Sequence, residues 1–293
     1  MRGAFAGIVD YAGLFPPANG TMAQAVSAYD SYHESGDRWM LGRFVVAASR
    51  LAELGTTVRS QGLEISAADP WKLSAVLGAN LPEEIARIEA FHHEWRRSGL
   101  VVDSVETKVT SPGQAEAVAD QIPRHFLRHF EVPARGPYGP IVAMIKRVDS
   151  FAKVRTGGTT AESIPLPEDL TSFLMSVVSR DVPFKATAGL HHPIRGDFPL
   201  TYDDNAPRAT MYGFVNLLLA VAEIAKSGDS DLAREVLEES NPDAFDHGPD
   251  VITWRDRRYD EAELTAIRSR YFLSFGSCSF REPVVELSSA QAA

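Results

Sequence analysis

Hydrophobic and polar positions follow two different periods in turn along nearly the whole chain. Short apolar runs rich in β-branched and aromatic residues predict strands, and longer stretches with an apolar stripe predict helices. The predicted strands cover residues 4–11, 39–48, 71–77, 100–109, 126–132, 151–156, 184–190 and 272–280. Helical patterns separate these runs, so the chain is a repeated alternation of strand and helix.

Eight strands alternating with helices predict parallel pairing through right-handed crossovers. Eight is also the number that closes a (β/α)8 TIM barrel, which typically has about 250 residues. The chain has 293 residues, and we expect the excess in a helical insertion at about 191–259, between strands seven and eight. An open doubly wound sheet would need a glycine-rich turn after the first strand, but Gly3 and Gly7 lie at the beginning of that run and do not follow it. The sequence therefore predicts one TIM-barrel domain over residues 1–293.

The composition, with 44% hydrophobic and 23% charged residues, is that of a globular protein. A net charge of −10 argues against a nucleic-acid partner, which would need a basic face. The single cysteine, Cys278, excludes an internal disulfide framework and fits a reducing compartment. Asp10 interrupts the first apolar stretch before a signal-peptide core forms, and no run approaches the roughly 18 apolar residues of a membrane span. We expect a cytoplasmic protein without a membrane partner.

Two predicted strands carry a lysine in the middle, where parallel strands buried on both faces are normally apolar. Lys153 and Arg155 share one face of strand six, and Lys185 lies on the neighbouring strand seven. Two inward ammonium groups disfavour each other's charge, and burial acts the same way, so one pKa falls toward neutrality. A neutral amine can form a Schiff base with a carbonyl compound. Alternatively, the pair binds an anion without covalent chemistry, or one lysine pairs with a strand carboxylate.

Three segments resemble strands six to eight of the deoxyribose-phosphate aldolases, namely residues 153–158, 184–190 and 275–279. That family has a Lys-x-small-Thr-Gly segment, a Val-Lys-Ala-Ser-Gly-Gly segment and a Gly-Ala/Thr-Ser-Ser segment in this order. The resemblance implies that Lys153 is the Schiff-base lysine and that Lys185 lowers its pKa. It further implies Asp103 as a catalytic aspartate on strand four. The residues that it implies for a backbone phosphate site are Gly157, Gly158, Gly189, Gly276 and Ser277.

The chain also departs from that family. Arg155 replaces a small residue beside the predicted nucleophile, where we expect it to clamp an anionic group. The insertion after strand seven and residues 10–17 have no counterpart in the family.

The sequence offers two candidates for the residue that transfers protons, Asp103 on strand four and Glu131 on strand five. Asp103 lies on one face of strand four, and Glu106 and Lys108 lie on the other. If Glu106 points into the barrel, Asp103 faces a helix, and Glu131 at the end of strand five can act as the base instead. The alternative for Glu131 is an ion pair with Lys153 or Lys108.

Two adjacent histidines, His191 and His192, begin the insertion. One of them, His191 in our prediction, serves as a substrate ligand or acid–base group, because a histidine titrates near neutral pH. A metal site that combines a histidine with Asp197, Glu106 or Glu131 is the alternative. Cys278 has no histidine beside it in the sequence, and we interpret it as a buried, unreactive thiol.

These observations together predict a carbon–carbon lyase of the aldolase type. Its expected partner is a small anionic carbonyl compound, phosphorylated or carboxylated, and we expect neither a cofactor nor a metal. A metal-dependent lyase or isomerase and a non-catalytic metabolite-binding barrel are the alternatives. The apolar helix predicted at 209–226 must be covered, either by the rest of the barrel or by a second copy in a homo-oligomer.

Overall fold

The computed structural model describes residues 1–290 and contains thirteen strands within them. The strands are β1 (Val9–Tyr11), β2 (Leu41–Ala47), β3 (Trp71–Val76), β4 (Leu100–Lys108), β5 (Leu127–Glu131), β6 (Phe151–Arg155), β7 (Phe184–Thr187), β8 (Gly196–Pro199), β9 (Arg208–Met211), β10 (Phe245–His247), β11 (Val251–Trp254), β12 (Arg257–Asp260) and β13 (Phe272–Ser277). Strands β1 to β7 and β13 pair in parallel and close into a barrel, in the order β1-β13-β7-β6-β5-β4-β3-β2. The predicted TIM barrel is confirmed.

The described residues also form eleven α-helices, most of which lie between two barrel strands in the sequence. They are α1 (Arg2–Phe5), α2 (Met22–His33), α3 (Leu51–Ser60), α4 (Leu81–Trp95), α5 (Pro112–Ala119), α6 (Tyr138–Arg147), α7 (Pro167–Ser179), α8 (Phe214–Ser227), α9 (Ser230–Glu238), α10 (Glu261–Arg270) and α11 (Arg281–Ala290). Local signals fix several of their first turns: Thr21 and Gln24 form a capping box, and the Ser111 side chain caps α5. Within the described residues, no helix combines the length and the apolar character that crossing a membrane requires.

Every barrel strand is shorter than the apolar run that predicted it, and the differences at β1, β7 and β13 change the path of the chain. The first run, residues 4–11, is divided, because its beginning belongs to α1 and only Val9–Tyr11 pairs in the barrel. Strand β7 ends at Thr187, since Ala188 and Gly189 adopt left-handed backbone angles, with φ of 61° and 79°. Strand β13 ends at Ser277 instead of residue 280. Because β7 and β13 end early, residues 188–190 and 278–280 belong to loops at the carboxyl end of the barrel.

The segment between β7 and β13 is more varied than the predicted helical insertion. It begins with the antiparallel hairpin β8–β9, continues through α8 and α9, and contains the antiparallel sheet β10-β11-β12 before α10. Helix α8 is buried from Phe214 to Ile224 and packs against α7, α9 and α10. The Phe214 ring also stacks on Phe275 of β13. The apolar helix is therefore covered by its own chain, as the outer helix of the barrel at this position.

Candidate active site

Ionised and hydroxyl side chains from seven barrel strands meet inside the barrel, where an apolar core would be expected. They are Asp10 of β1, Ser74 of β3, Ser104 and Glu106 of β4, Glu131 of β5, Lys153 of β6, Lys185 of β7 and Ser274 of β13, and all are buried. We call this set the interior cluster. The strand register places Glu131, Lys153 and Lys185 level with one another on three neighbouring strands. Groups that are charged and enclosed in this way are stable only when they are paired.

Glu106 joins the two lysines of the interior cluster. Its Oε1 accepts a hydrogen bond from Lys185 Nζ at 2.7 Å, and its Oε2 lies 2.7 Å from Lys153 Nζ. Lys185 Nζ also donates to Asp10 Oδ2 at 2.6 Å. On the other side, Lys153 Nζ lies 2.8 Å from Glu131 Oε2. Two ammonium groups thus alternate with three carboxylates in one continuous chain of ion pairs.

The opposite charges decide the pKa values within the interior cluster. Burial alone would lower the pKa of Lys185, but the carboxylates of Asp10 and Glu106 outweigh burial and raise it. Burial would raise the pKa of Glu106, but the ammonium groups of Lys153 and Lys185 hold it well below its usual range. The predicted role of Lys185, to destabilise the charge of its neighbour, is therefore corrected. Glu106 separates the two ammonium groups, and Lys185 keeps Glu106 ionised.

Asp103, the predicted catalytic aspartate, lies apart from the lysines. The register between β3 and β4 shifts by one residue next to Ser104, and Asp103 is the extra residue. Its carboxylate forms a two-point ion pair with Arg43 of β2, at 2.6 and 2.8 Å. This prediction is corrected, because Glu106 occupies the strand-four position beside both lysines.

Glu131 and Arg155 extend the interior cluster outward. Arg155 Nε donates to Glu131 Oε1 at 3.2 Å, and the side chain of Arg155 is 37% exposed whereas that of Glu131 is 8% exposed. Burial would raise the pKa of Glu131, but Lys153 and Arg155 lower it. Glu131 is thus an ionised hydrogen-bond acceptor between a buried ammonium group and a guanidinium group that reaches solvent. The ion pair between Glu131 and Lys153 is the alternative that the sequence had left open.

A cavity of about 940 Å³ lies over the interior cluster, at the carboxyl ends of the barrel strands. Its lining includes Glu106, Glu131, Lys153, Lys185, Arg155 and Lys108. Apolar side chains, among them Phe15, Leu77 and Leu200, form part of its wall. TIM-barrel enzymes carry their active sites at this end of the barrel, and a concave pocket with converging polar groups is typical of a ligand site.

The glycines predicted to hold a phosphate divide into two groups. Gly158, Gly189 and Gly276 line the cavity. Gly157 instead allows a close approach of two loops, because a Cβ added to it would lie 2.8 Å from Gly189 Cα. Its lack of a side chain is thus explained by packing.

Replacing Gly157 with alanine is expected to lower the free energy of unfolding by about 1–3 kcal/mol. The added methyl group would meet backbone atoms of Gly189, and rotation of a side chain cannot relieve that contact. Urea denaturation of the variant measures the loss. Gly113→Ala, at an exposed helix position with no atom within 4 Å of the new Cβ, is the matched control. Equal stabilities of the two variants would show that the two loops separate without cost.

The adjacent histidines both pair with carboxylates of α11. His191 Nδ1 lies 2.9 Å from Glu282 Oε2, and His192 Nδ1 lies 2.8 Å from Glu286 Oε1. Ser277, predicted to bind the substrate, is buried with its Oγ 3.3 Å from His191 Nδ1. Across residues 1–290, no three His, Cys, Asp or Glu side chains are grouped as a metal site would require.

Sequence reasoning did not assign Asp10 to the site and left the orientation of Glu106 undecided. The signal for Asp10 was present, since it is the only charged residue in the apolar run 4–11, just as the lysines interrupt their own strands. For Glu106, the alternation of side chains along strand four allows either an inward or an outward orientation, because the register shift at Asp103 is not visible in the sequence. A charged residue within a barrel strand was thus the useful signal.

No family model matches this sequence, and no curated protein is significantly similar to it. Among solved structures, the spore cortex-lytic enzyme SleL of Bacillus cereus aligns with 98% of this chain and 74% of its own. The two sequences are 11% identical over that alignment, and the TM-score is 0.37. A likeness at this level says nothing about the function of the present protein, which has to be inferred from its own residues.

Proposed function

We propose that this protein is a Schiff-base lyase of the aldolase type, which makes or breaks a carbon–carbon bond in a small anionic carbonyl compound. The observation that carries the proposal is the position of Lys153. Its Nζ lies between the carboxylates of Glu106 and Glu131, at 2.7 and 2.8 Å, and its side chain lines the cavity at the carboxyl ends of the strands. An amine that adds to a carbonyl must first lose a proton, and the carboxylate of Glu131 can accept it.

Lys153 is a better candidate for the nucleophile than Lys185. Lys185 donates to two fully buried carboxylates, those of Asp10 and Glu106, and its raised pKa keeps it protonated. Lys153 also pairs with Glu106, but its second partner is Glu131, which itself contacts the partly exposed Arg155. Lys185 therefore supports the site through Glu106, whose charge it stabilises, and Lys153 is the amine nearer to a ligand.

The first chemical step follows from these contacts. When a substrate carbonyl replaces solvent over Lys153, the ammonium group passes a proton to Glu131, and the nitrogen lone pair attacks the carbonyl carbon. The resulting carbinolamine loses its hydroxyl group as water, with a proton returned by Glu131, and leaves an iminium ion. The iminium ion accepts the electron pair of the bond between the α and β carbons, which breaks as an enamine forms. The β-hydroxyl group gives its proton to the carboxylate of Glu131, and the β carbon leaves as the carbonyl carbon of the second fragment. Glu106 stays ionised throughout and stabilises the cationic nitrogen.

The charges at the rim indicate an anionic substrate. Arg155 and Lys108 both line the cavity, and Lys108 is exposed. A guanidinium group binds carboxylate or phosphate oxygens in a two-point arrangement, and an ammonium group acts as a point charge beside it. The resemblance of residues 153–158 to aldolase strand six supports the same reaction class.

Borohydride trapping tests the proposal directly. The protein is incubated with small phosphorylated and carboxylated aldehydes and ketones, reduced with sodium cyanoborohydride, and analysed by intact mass and peptide mapping. We expect a single adduct on Lys153 with at least one of these compounds. Lys153→Arg keeps the positive charge between Glu106 and Glu131 but cannot form the imine, so it should give no adduct.

Lys108→Met is the matched control, because Lys108 is a lysine in the same cavity. This variant should retain the adduct on Lys153. Adduct formation on Lys108, or on no lysine of the cavity with any compound of the panel, would refute the Schiff-base mechanism. Stabilisation of the protein against heat by one of these anions, without an adduct, would instead indicate a metabolite-binding barrel.

A further inference from the structure

A second cluster of reactive side chains lies at the rim of the same cavity, and the Schiff-base mechanism does not use it. Cys278 follows β13, His191 follows β7, and Glu282 lies in the first turn of α11. All three line the cavity. We call them the rim triad. Their separation in the sequence explains why Cys278 was interpreted as an unreactive thiol.

The rim triad has the order thiol, imidazole, carboxylate. Cys278 Sγ lies 3.9 Å from His191 Nε2, and the opposite ring nitrogen, Nδ1, lies 2.9 Å from Glu282 Oε2. A carboxylate on Nδ1 holds the proton at that nitrogen and leaves Nε2 free to accept the thiol proton. This is the arrangement that activates a cysteine nucleophile, and such hydrogen bonds are often long in the absence of substrate.

The surroundings of His191 favour its protonated form. Burial would lower the pKa of His191, but hydrogen bonds to Cys278 and Glu282 raise it to about 9. The hydroxyl of Tyr202, in the loop between β8 and β9, lies 3.4 Å from Cys278 Sγ and donates to Glu282 Oε2 at 3.2 Å. Two other titratable groups lie nearby: Tyr11 of β1 is close to Cys278, and the ring of His192, which pairs with Glu286, is centred 6.3 Å from that of His191.

We propose that the rim triad is a nucleophilic thiol site that binds a small aldehyde as a thiohemiacetal. His191 takes the proton of Cys278, the sulfur forms a bond with the aldehyde carbon, and the carbonyl oxygen receives the proton back from His191. Atoms and electrons balance without an oxidant, and the reaction is reversible. The choice of an aldehyde rests on the proposed function, because cleavage of a carbon–carbon bond beside an imine releases a carbonyl fragment.

The geometry of the barrel is consistent with one ligand that spans both sites. Strand β13, which precedes Cys278, is separated from β6, which carries Lys153, by β7 alone. Two strand spacings amount to about 10 Å, a distance that a phosphorylated compound of a few carbon atoms can bridge. After cleavage, Lys153 would hold the enamine, and the thiol would hold the carbonyl carbon of the released fragment.

Alkylation tests the thiol site without knowledge of the substrate. Cys278 is the single cysteine of the chain, so iodoacetamide modification followed by intact mass reports on this residue alone. We expect the rate to reach half of its maximum at least one pH unit below the ordinary thiol value of about 8.5. His191→Gln should move the midpoint back toward that value and slow alkylation at pH 6 about tenfold or more. Glu282→Gln should shift it in the same direction.

His192→Gln is the matched control, because His192 lines the same cavity but pairs with Glu286. Its profile should equal that of the wild type. A midpoint near 8.5 that His191→Gln leaves unchanged would overturn the proposal, and so would a thiol that iodoacetamide does not reach at any pH. If His191→Gln fails to fold, thiolate absorbance at 240 nm in the wild type, compared with Cys278→Ser, decides the same question.

A small aldehyde, glyceraldehyde 3-phosphate, tests the ligand class. It should slow the alkylation of Cys278 equally in the wild type and in Lys153→Arg, since the thiohemiacetal needs only the thiol. If the aldehyde slows alkylation of Cys278 in the wild type but not in Lys153→Arg, it reacts with the lysine alone. That result would overturn the proposal that the thiol binds an aldehyde. The two proposals can fail separately. Absence of an imine on Lys153 would refute the Schiff-base mechanism, whereas slower alkylation of Cys278 by the aldehyde in the same protein would still support the thiol site.

Discussion

Replacing Lys185 with methionine is expected to lower the free energy of unfolding by about 3–5 kcal/mol. Lys185 is buried, and its Nζ is held by Asp10 and Glu106 at 2.6 and 2.7 Å. Methionine has a similar volume, so the barrel stays filled, but Asp10 loses its ammonium partner inside the protein. Urea denaturation at pH 7, followed by circular dichroism, measures the loss as a lower transition midpoint.

Two further variants separate the lost charge from the lost side chain. Lys72→Met makes the same change at an exposed position of β3 and should cost less than about 0.5 kcal/mol. Adding Asp10→Asn to Lys185→Met removes the orphaned charge and should restore part of the stability, which a double-mutant cycle quantifies. If the double variant is no more stable than Lys185→Met, the loss comes from packing, and the ion pair is not what stabilises the barrel.

The sequence predicted the barrel because its strands are buried on both faces and are separated by regular helices. The insertion was harder to predict for a physical reason. Strands β8 to β12 have three or four residues each and pair as local antiparallel ribbons, so few of their side chains are buried. Residues 208–211 look like the start of α8, and only their pairing with residues 196–199 makes them a strand.

The candidate site could be predicted in part, because a charged side chain in an apolar run is visible in the sequence. The positions of Lys153 and Lys185 followed from this signal. Their partners did not, since pairing depends on register across the barrel: Asp10 is 175 residues away from Lys185 along the chain. Two neighbouring ammonium groups alone would lower each other's pKa, as the sequence predicts. Glu106 lies between Lys153 and Lys185 and pairs with both, so that prediction is wrong.

The interior cluster links stability to the proposed chemistry. Three buried carboxylates and two buried lysines are a costly way to fill a barrel, and well-packed apolar side chains would often stabilise it as well or better. A network of this kind is expected where a proton must move between fixed groups. Ser74 and Ser274 support this view, because they donate to Glu106 at 2.7 Å and to Asp10 at 2.8 Å, and so fix both carboxylates.

Replacing Glu106 with glutamine is expected to make the stability of the protein less sensitive to acid. Lys153 and Lys185 overcome the effect of burial and depress the pKa of Glu106 in the folded state. A depressed carboxyl pKa stabilises the folded protein above the unfolded value of about 4.3, and this contribution is lost as the pH falls toward the folded value. Each proton taken up on unfolding changes the free energy by about 1.4 kcal/mol per pH unit. The variant should therefore be less stable at pH 7 and show a slope smaller by up to that amount below pH 4.3.

Urea denaturation at half-unit steps between pH 2.5 and 7 measures both slopes. Glu89→Gln, at an exposed position of α4, removes a carboxylate outside the barrel and should leave the slope close to that of the wild type. Asp10 and Glu131 also have lowered pKa values, so acid sensitivity should be reduced in Glu106→Gln and not abolished. A slope equal to that of the wild type would mean that Glu106 is not held ionised by the two lysines, and its proposed role, to stabilise the cationic nitrogen of Lys153, would lose its support.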